Sequence, residues 1–157
     1  MTPQPIKREI AFTIMDVARL LKTYADQRAR QFGISRAQWA VLIRIERTEG
    51  LKQSELAELL DLQPISLTRL LDRLADNGLI ERRADPNDRR ANRLYLTAAA
   101  KPLLTRLTEL GGDMMETVLH GLDEKSIERM LKQLVTLKDN LRRAIHANAQ
   151  PEVALNG

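Results

Sequence analysis

Between Pro64 and Leu74 the chain reads Pro-Ile-Ser-Leu-Thr-Arg-Leu-Leu-Asp-Arg-Leu, which at helical period separates into two faces. Ile65, Leu67, Leu70, Leu71 and Leu74 supply an apolar stripe and leave Ser66, Thr68, Arg69 and Arg73 on the opposite side. Hydroxyls and guanidinium forks are the groups that hydrogen-bond base edges and phosphate oxygens of DNA. Standing alone, the segment reads equally well as an ordinary amphipathic surface helix. The next stretch decides between the two: from Arg82 to Arg93, five arginines (Arg82, Arg83, Arg89, Arg90, Arg93) face two acids (Asp85, Asp88). Asp85-Pro86-Asn87-Asp88 suffices for a turn and does not need the adjacent Arg89 and Arg90 at its tip. An extended arginine in such a place can enter the minor groove, where narrow A·T-rich segments concentrate negative potential.

These side chains need elements to hold them. Two brief helices, at 54–60 and 64–77, are separated by Asp61-Leu62-Gln63, the arrangement of a helix-turn-helix. Pro64 suits the first turn of the second helix, and Asn77-Gly78 offers residues tolerant of positive φ at its end. Residues 79–83 and 93–97 flank the polar turn as a β-hairpin, the only sheet signal in the chain. Upstream, after a tail at 1–5, Ile10, Ile14, Val17, Leu21 and Tyr24 predict a long first helix, with Gly33 in a left-handed position beyond it. Ser35 is placed to cap a second helix carrying Trp39, Leu42, Ile43 and Glu46, which Gly50 closes. Downstream, residues 98–121 return to helical period, with Pro102 near the first turn giving a slight bend. Asp123 then caps a last helix with Leu131, Leu134, Leu137, Leu141 and Ile145 on one face, and residues 147–157 read as a frayed polar tail. The expected fold is mostly α with a small β-hairpin wing. A winged helix-turn-helix lobe at 36–97 is flanked by helical segments at 6–32 and 98–146.

A chain of 157 residues with 43% apolar content makes one domain with a real core. The net charge is only +4, but 18 of the 25 basic residues are arginine, the better partner for phosphate and guanine. With no cysteine, disulfides, zinc-thiolate sites and thiol chemistry are excluded. His120 and His146 are isolated, so no metal site is expected, and neither joins a nucleophile and an acid in a catalytic pattern; no enzyme, no catalytic residue and no cofactor is expected. Aromatics at 3% are too few to stack single-stranded bases, and no glycine spacing makes a phosphate loop. No apolar stretch can span a bilayer, and the first residues lack a secretory core, so a cytoplasmic protein without membrane partners is expected.

Leu56-Ala57, then Thr68 to Leu74, Asn77-Gly78-Leu79-Ile80-Glu81-Arg82, Asp85 to Arg90 and Leu96-Thr97 together resemble the MarR family of winged-helix transcriptional regulators, close to its SlyA-like branch. The wing signature Asp-x-Arg, five residues, Leu-Thr is matched by Asp88, Arg90, Leu96 and Thr97, and the resemblance covers nearly the whole chain. It implies a homodimer whose first and last helices interlock, each recognition helix and wing reading one half of a palindromic double-stranded operator. Ser66, Thr68, Arg69 and Arg73 would then contact the major groove or its phosphates, and Arg90, beside Arg89, would enter the minor groove. Asp88 would orient Arg90 or a neighbouring arginine by a salt bridge. The apolar residues Ile6, Ile10 and Ile14 at one end and Leu131, Leu134, Leu137, Leu141 and Ile145 at the other could pack as an intramolecular bundle. A twofold interface is preferred, because it also matches a palindrome. Tyr24 and Trp39 are candidates to line a site for a small aromatic or anionic effector, which the resemblance implies; core aromatics with one polar handle are the other reading of them. Arg19, Arg28 and Arg44 are candidate partners for a ligand carboxylate, the other reading being helix-surface arginines that face solvent. The competing functional reading is a helical protein-interaction module with only non-specific affinity for DNA.

Overall fold

Prolines, glycines and caps set the helix boundaries in the computed structural model, which describes residues 1–149. α1 (Gln4–Ala29) takes Pro5 into its first turn, where a missing N–H is harmless, so the predicted tail shortens to three residues. A single 3₁₀ turn (Arg30–Phe32) leads into Gly33, whose φ of 71° lies in the left-handed region. α2 (Arg36–Arg47) starts on a reciprocal cap: Ser35 Oγ accepts the Gln38 N–H at 3.1 Å, and Gln38 Oε1 accepts the Ser35 N–H at 3.0 Å.

α3 (Gln53–Leu60) and α4 (Pro64–Asp76) form the helix-turn-helix. The turn between them is closed by Asp61 at φ 51°, a conformation that Asp tolerates, and by the Leu62 N–H donating to the Ala57 carbonyl at 3.0 Å. At the end of α4 only Gly78 uses positive φ; Asn77 stays at −78°.

The sheet differs from the expected hairpin. A third strand, β1 (Leu51–Lys52), pairs antiparallel with β3 (Asp88–Leu96), which also pairs with β2 (Ile80–Asp85), giving the order β1-β3-β2. Two residues are too few to show a period, which is why β1 has no sequence signature. β3 likewise begins five residues earlier than predicted. Its polar start, Asp88 to Asn92, lacks alternation but is held by pairing to β2 across a register shift at Ala84/Asp85. The tip is therefore only Pro86-Asn87, with Arg89 and Arg90 on the strand just beyond it.

By its internal contacts the chain divides into one unit from Met1 to Met114 and another beginning at Met115. The first has a single core in which Leu42, Ile45, Leu56, Leu67, Leu71 and Leu94 are buried together with residues of α5 (Ala100–Val118) such as Leu104 and Leu107. Pro102 sits in the first turn of α5, where it removes no helical hydrogen bond. In the second unit Asp123 Oδ1 accepts the Ser126 N–H at 2.8 Å and starts α6 (Glu124–Ala149), no residue of which is buried. The helix runs through residues 147–149 of the predicted tail; residues 150–157 lie outside the described part. No helix among the described residues is long and apolar enough to cross a membrane.

Candidate nucleic-acid interface

α4 buries Leu67, Leu71 and Leu74, a narrower stripe than its sequence predicts. Leu70 is half-buried against the core, and Ile65, expected inside, stands 61% exposed in the first turn. Its Cβ points toward the N-terminal end, where no core residue covers it. Ser66, Arg69 and Arg73 are exposed as expected. Thr68 behaves differently: its hydroxyl donates to the Pro64 carbonyl at 2.9 Å and accepts from Gln53 Nε2 at 3.1 Å. That hydroxyl is committed within the protein, tying α4 to the start of α3.

The five wing arginines divide into two groups. Strand register places Lys52, Arg93 and Arg83 in one row across the sheet, with Glu81 and Tyr95 paired beside them on the same face. Like charges directly opposite one another repel, and the structure neutralises each in turn. Arg93 Nε donates to Asp85 Oδ2 at 2.9 Å and its Nη1 to the Gly50 carbonyl at 2.9 Å, while Lys52 approaches the same carboxylate at 3.9 Å. Arg83 lies 4.0 Å from the centre of the Tyr95 ring and pairs with Glu81 at 3.2 Å. Arg82, on the opposite face with Leu94 and Leu51, reaches back to α4 and pairs with Asp72 at 2.6 Å. This leaves Arg89 and Arg90, on β3 just beyond the tip, and Arg69 and Arg73, on α4, with no carboxylate partner among the described residues.

Asp85 organises the tip. It is buried, and its Oδ1 accepts the Asn87 N–H at 2.8 Å across the turn. That backbone N–H, followed by the charges of Arg93 and Lys52, outweighs desolvation and holds the carboxyl below its ordinary range. Asp88 does not make the expected salt bridge to an arginine; its carboxylate accepts the backbone N–H of Arg90 at 3.0 Å and so fixes the start of β3. At the hairpin base the Thr97 hydroxyl donates to the Gly78 carbonyl and its N–H to the Leu79 carbonyl at 3.1 Å, which accounts for the threonine of the Leu-Thr pair in the wing signature. Sequence reasoning passed over Gln53, Asp72 and Asp85 as framework residues. Asp85 had a signal, since Asp before Pro-Asn favours a side-chain-closed turn; Gln53 and Asp72 had none, their partners being 15 and 10 residues away.

Two cavities flank these elements in the first unit. One of about 730 Å³ lies between the helix-turn-helix turn and the wing, with Gln53, Ser54, Gln63, Asp88 and Arg90 in its wall. The other, about 580 Å³, is bordered by Trp39 with Arg36, Arg44 and Arg47 of α2, Leu60 of α3 and Leu107 of α5. The two aromatics expected at one effector site are separated: Tyr24 is not in this wall, and its hydroxyl instead accepts from Arg28 Nη1 at 3.2 Å. Of the three candidate carboxylate partners only Arg44 borders the cavity, for Arg28 is on Tyr24 and Arg19 pairs with Asp16 at 3.4 Å. On the helices expected to dimerise, Ile6 and Ile10 of α1 and Leu131, Leu134, Leu137, Leu141 and Ile145 of α6 are all exposed in the single chain.

Comparison with known proteins places this geometry in a wider setting. Residues 34–91 match the sequence model of the MarR family. A solved transcriptional regulator is 30% identical, with a TM-score of 0.77 over 85% of this chain and 98% of that one. MepR of S. aureus, solved as a complex with DNA, is 26% identical at a TM-score of 0.70, covering 83% of this chain and 96% of its own. The transcriptional regulator SlyA shares the fold, with a TM-score of 0.75 at 24% identity over 86% of this chain and 95% of that one.

Proposed function

The chain belongs to the MarR family of winged-helix, DNA-binding transcription regulators, and from that premise we propose that it is a homodimeric repressor that reads a palindromic operator and is released by a small anionic or aromatic ligand. The observation that carries the reading is the sorting of charge: Arg82, Arg83 and Arg93 of the sheet are paired with carboxylates of the protein, whereas Arg69 and Arg73 on α4 and Arg89 and Arg90 at the start of β3 are left for an external polyanion. In this reading residues 36–97 are the DNA-reading lobe. Ser66, Arg69 and Arg73 address the major groove and its phosphates, with Thr68 holding their helix in place. Arg89 and Arg90 address the minor groove and its edges, with Asp88 holding the strand that carries them.

Segments 6–32 and 98–146 supply the dimer interface. The support is the row of exposed aliphatic residues on α1 and α6, which water leaves unstable on a lone chain. Two half-sites one helical turn apart require recognition helices about 34–36 Å apart, so a ligand that alters their spacing abolishes simultaneous docking. The cavity beside Trp39 is suited to such a ligand, since Arg44 and Arg47 border it without a carboxylate partner among the described residues, next to Glu46 and the Asp26-paired Arg36, and Leu60 connects it to the first helix of the helix-turn-helix.

The test is selection of bound sequences from a random duplex pool by the full-length protein. Titration of the enriched duplex and a scrambled one then follows at several salt concentrations. The reading expects one enriched inverted repeat bound by one dimer, with at least about a thousandfold preference over the scrambled duplex. Equal affinity for both duplexes with the same salt slope would instead support the protein-interaction module.

A further inference from the structure

Ile65 is the residue whose position contradicts its chemistry most directly: a β-branched aliphatic side chain in the first turn of the recognition helix, 61% exposed, while Leu67, Leu71 and Leu74 fill the core beneath. Spacings of four place Ile65, Arg69 and Arg73 on one stripe of α4, with Ser66 beside them, and all four are exposed. The N-terminal residues of a recognition helix are those that meet base edges in the major groove. The other side chains of this edge are already accounted for within the protein, Thr68 by Gln53 and Pro64, and Asp72 by Arg82.

The neighbours of Ile65 define what covers it. Two unpaired arginines on the same stripe draw a phosphate backbone, so the covering surface is a polyanion that also offers an apolar group. On the major-groove edge of B-form DNA that group is the 5-methyl of thymine. We infer that Ile65 is a specificity-determining residue that packs on a thymine methyl in each operator half-site. The assignment rests on the DNA-binding function proposed above.

The experiment replaces each thymine of the enriched operator, one position per half-site at a time, with deoxyuridine, which deletes the methyl and keeps every hydrogen-bonding group. Affinities are measured for the full-length wild type, for Ile65→Ala and for Leu59→Ala, an exposed leucine on α3. At one thymine position the deletion weakens wild-type binding about fourfold per half-site, the value of one buried methyl. Ile65→Ala binds the unmodified operator correspondingly less tightly and does not respond to the deletion, whereas Leu59→Ala keeps the full response. Equal responses in wild type and Ile65→Ala at every thymine, or no response at any, overturn the assignment while leaving the regulator reading intact. A selection that enriches no sequence overturns both.

Discussion

Replacing Arg90 with alanine removes a guanidinium that no carboxylate among the described residues holds, so the effect falls on DNA rather than on the fold. Four such arginines per protomer give eight in a dimer, and each phosphate neutralised contributes about 0.9 to the dependence of log affinity on log salt. The expected slope is therefore about −7, a loss of about four decades between 50 and 200 mM salt. Arg90→Ala should make the slope shallower by about 2 and weaken operator binding by roughly 1–3 kcal/mol per half-site, with an unchanged melting temperature. Arg93→Ala provides the contrast. Its side chain is spent on Asp85 and the Gly50 carbonyl, and its removal leaves the buried carboxylate with Lys52 at 3.9 Å. That variant should melt earlier, and the salt slope of its folded fraction should stay near the wild-type value. Anisotropy titrations across salt, paired with thermal melts, separate the two. A shallower slope for Arg93→Ala at unchanged stability, or a wild-type slope for Arg90→Ala, would refute the sorting of the arginines.

Gly50 has φ 78°, and a Cβ there would meet Tyr95 Oη at 3.1 Å; Gly33, at φ 71°, has open space around it. Gly33→Ala should lose about 1–2 kcal/mol from left-handed backbone alone, and Gly50→Ala more, with Tyr95→Phe restoring part of the difference in thermal melts. Because the folded Asp85 carboxyl is held below its ordinary range, its contribution to stability is present above the usual carboxylate pKa and is lost as pH falls through the lowered one. Asp123 is lowered as well, by the Ser126 side chain and N–H, so urea midpoints followed from neutral to acid pH should fall less steeply in Asp85→Asn but keep part of the slope. Leu141→Glu, on the exposed apolar face of α6, should shift the protein to monomer in sedimentation and remove tight operator binding without unfolding the first unit.

The sequence by itself determined the helices, the hairpin and their order, but not the two-residue β1 that joins the hairpin as a third strand. Ser35, Gly33, Pro64 and Gly78 act within a few residues of themselves, and the apolar periods of the helices are local, so helix boundaries and the helix-turn-helix were legible. The wing was legible for the same reason, through Asp85-Pro86-Asn87 and the run of arginines. Tertiary structure decided which of those arginines remain available. Arg82 and Arg93 are indistinguishable from Arg90 in composition, and only strand register and helix packing bring Asp72 and Asp85 to them. It also decided that Ile65 lies outside the core and Thr68 spends its hydroxyl inward. A helical period states which residues share a face, whereas burial depends on how far the packed surface extends along that face. That extent, like the pairing of charges distant in sequence, is a property of three-dimensional distance.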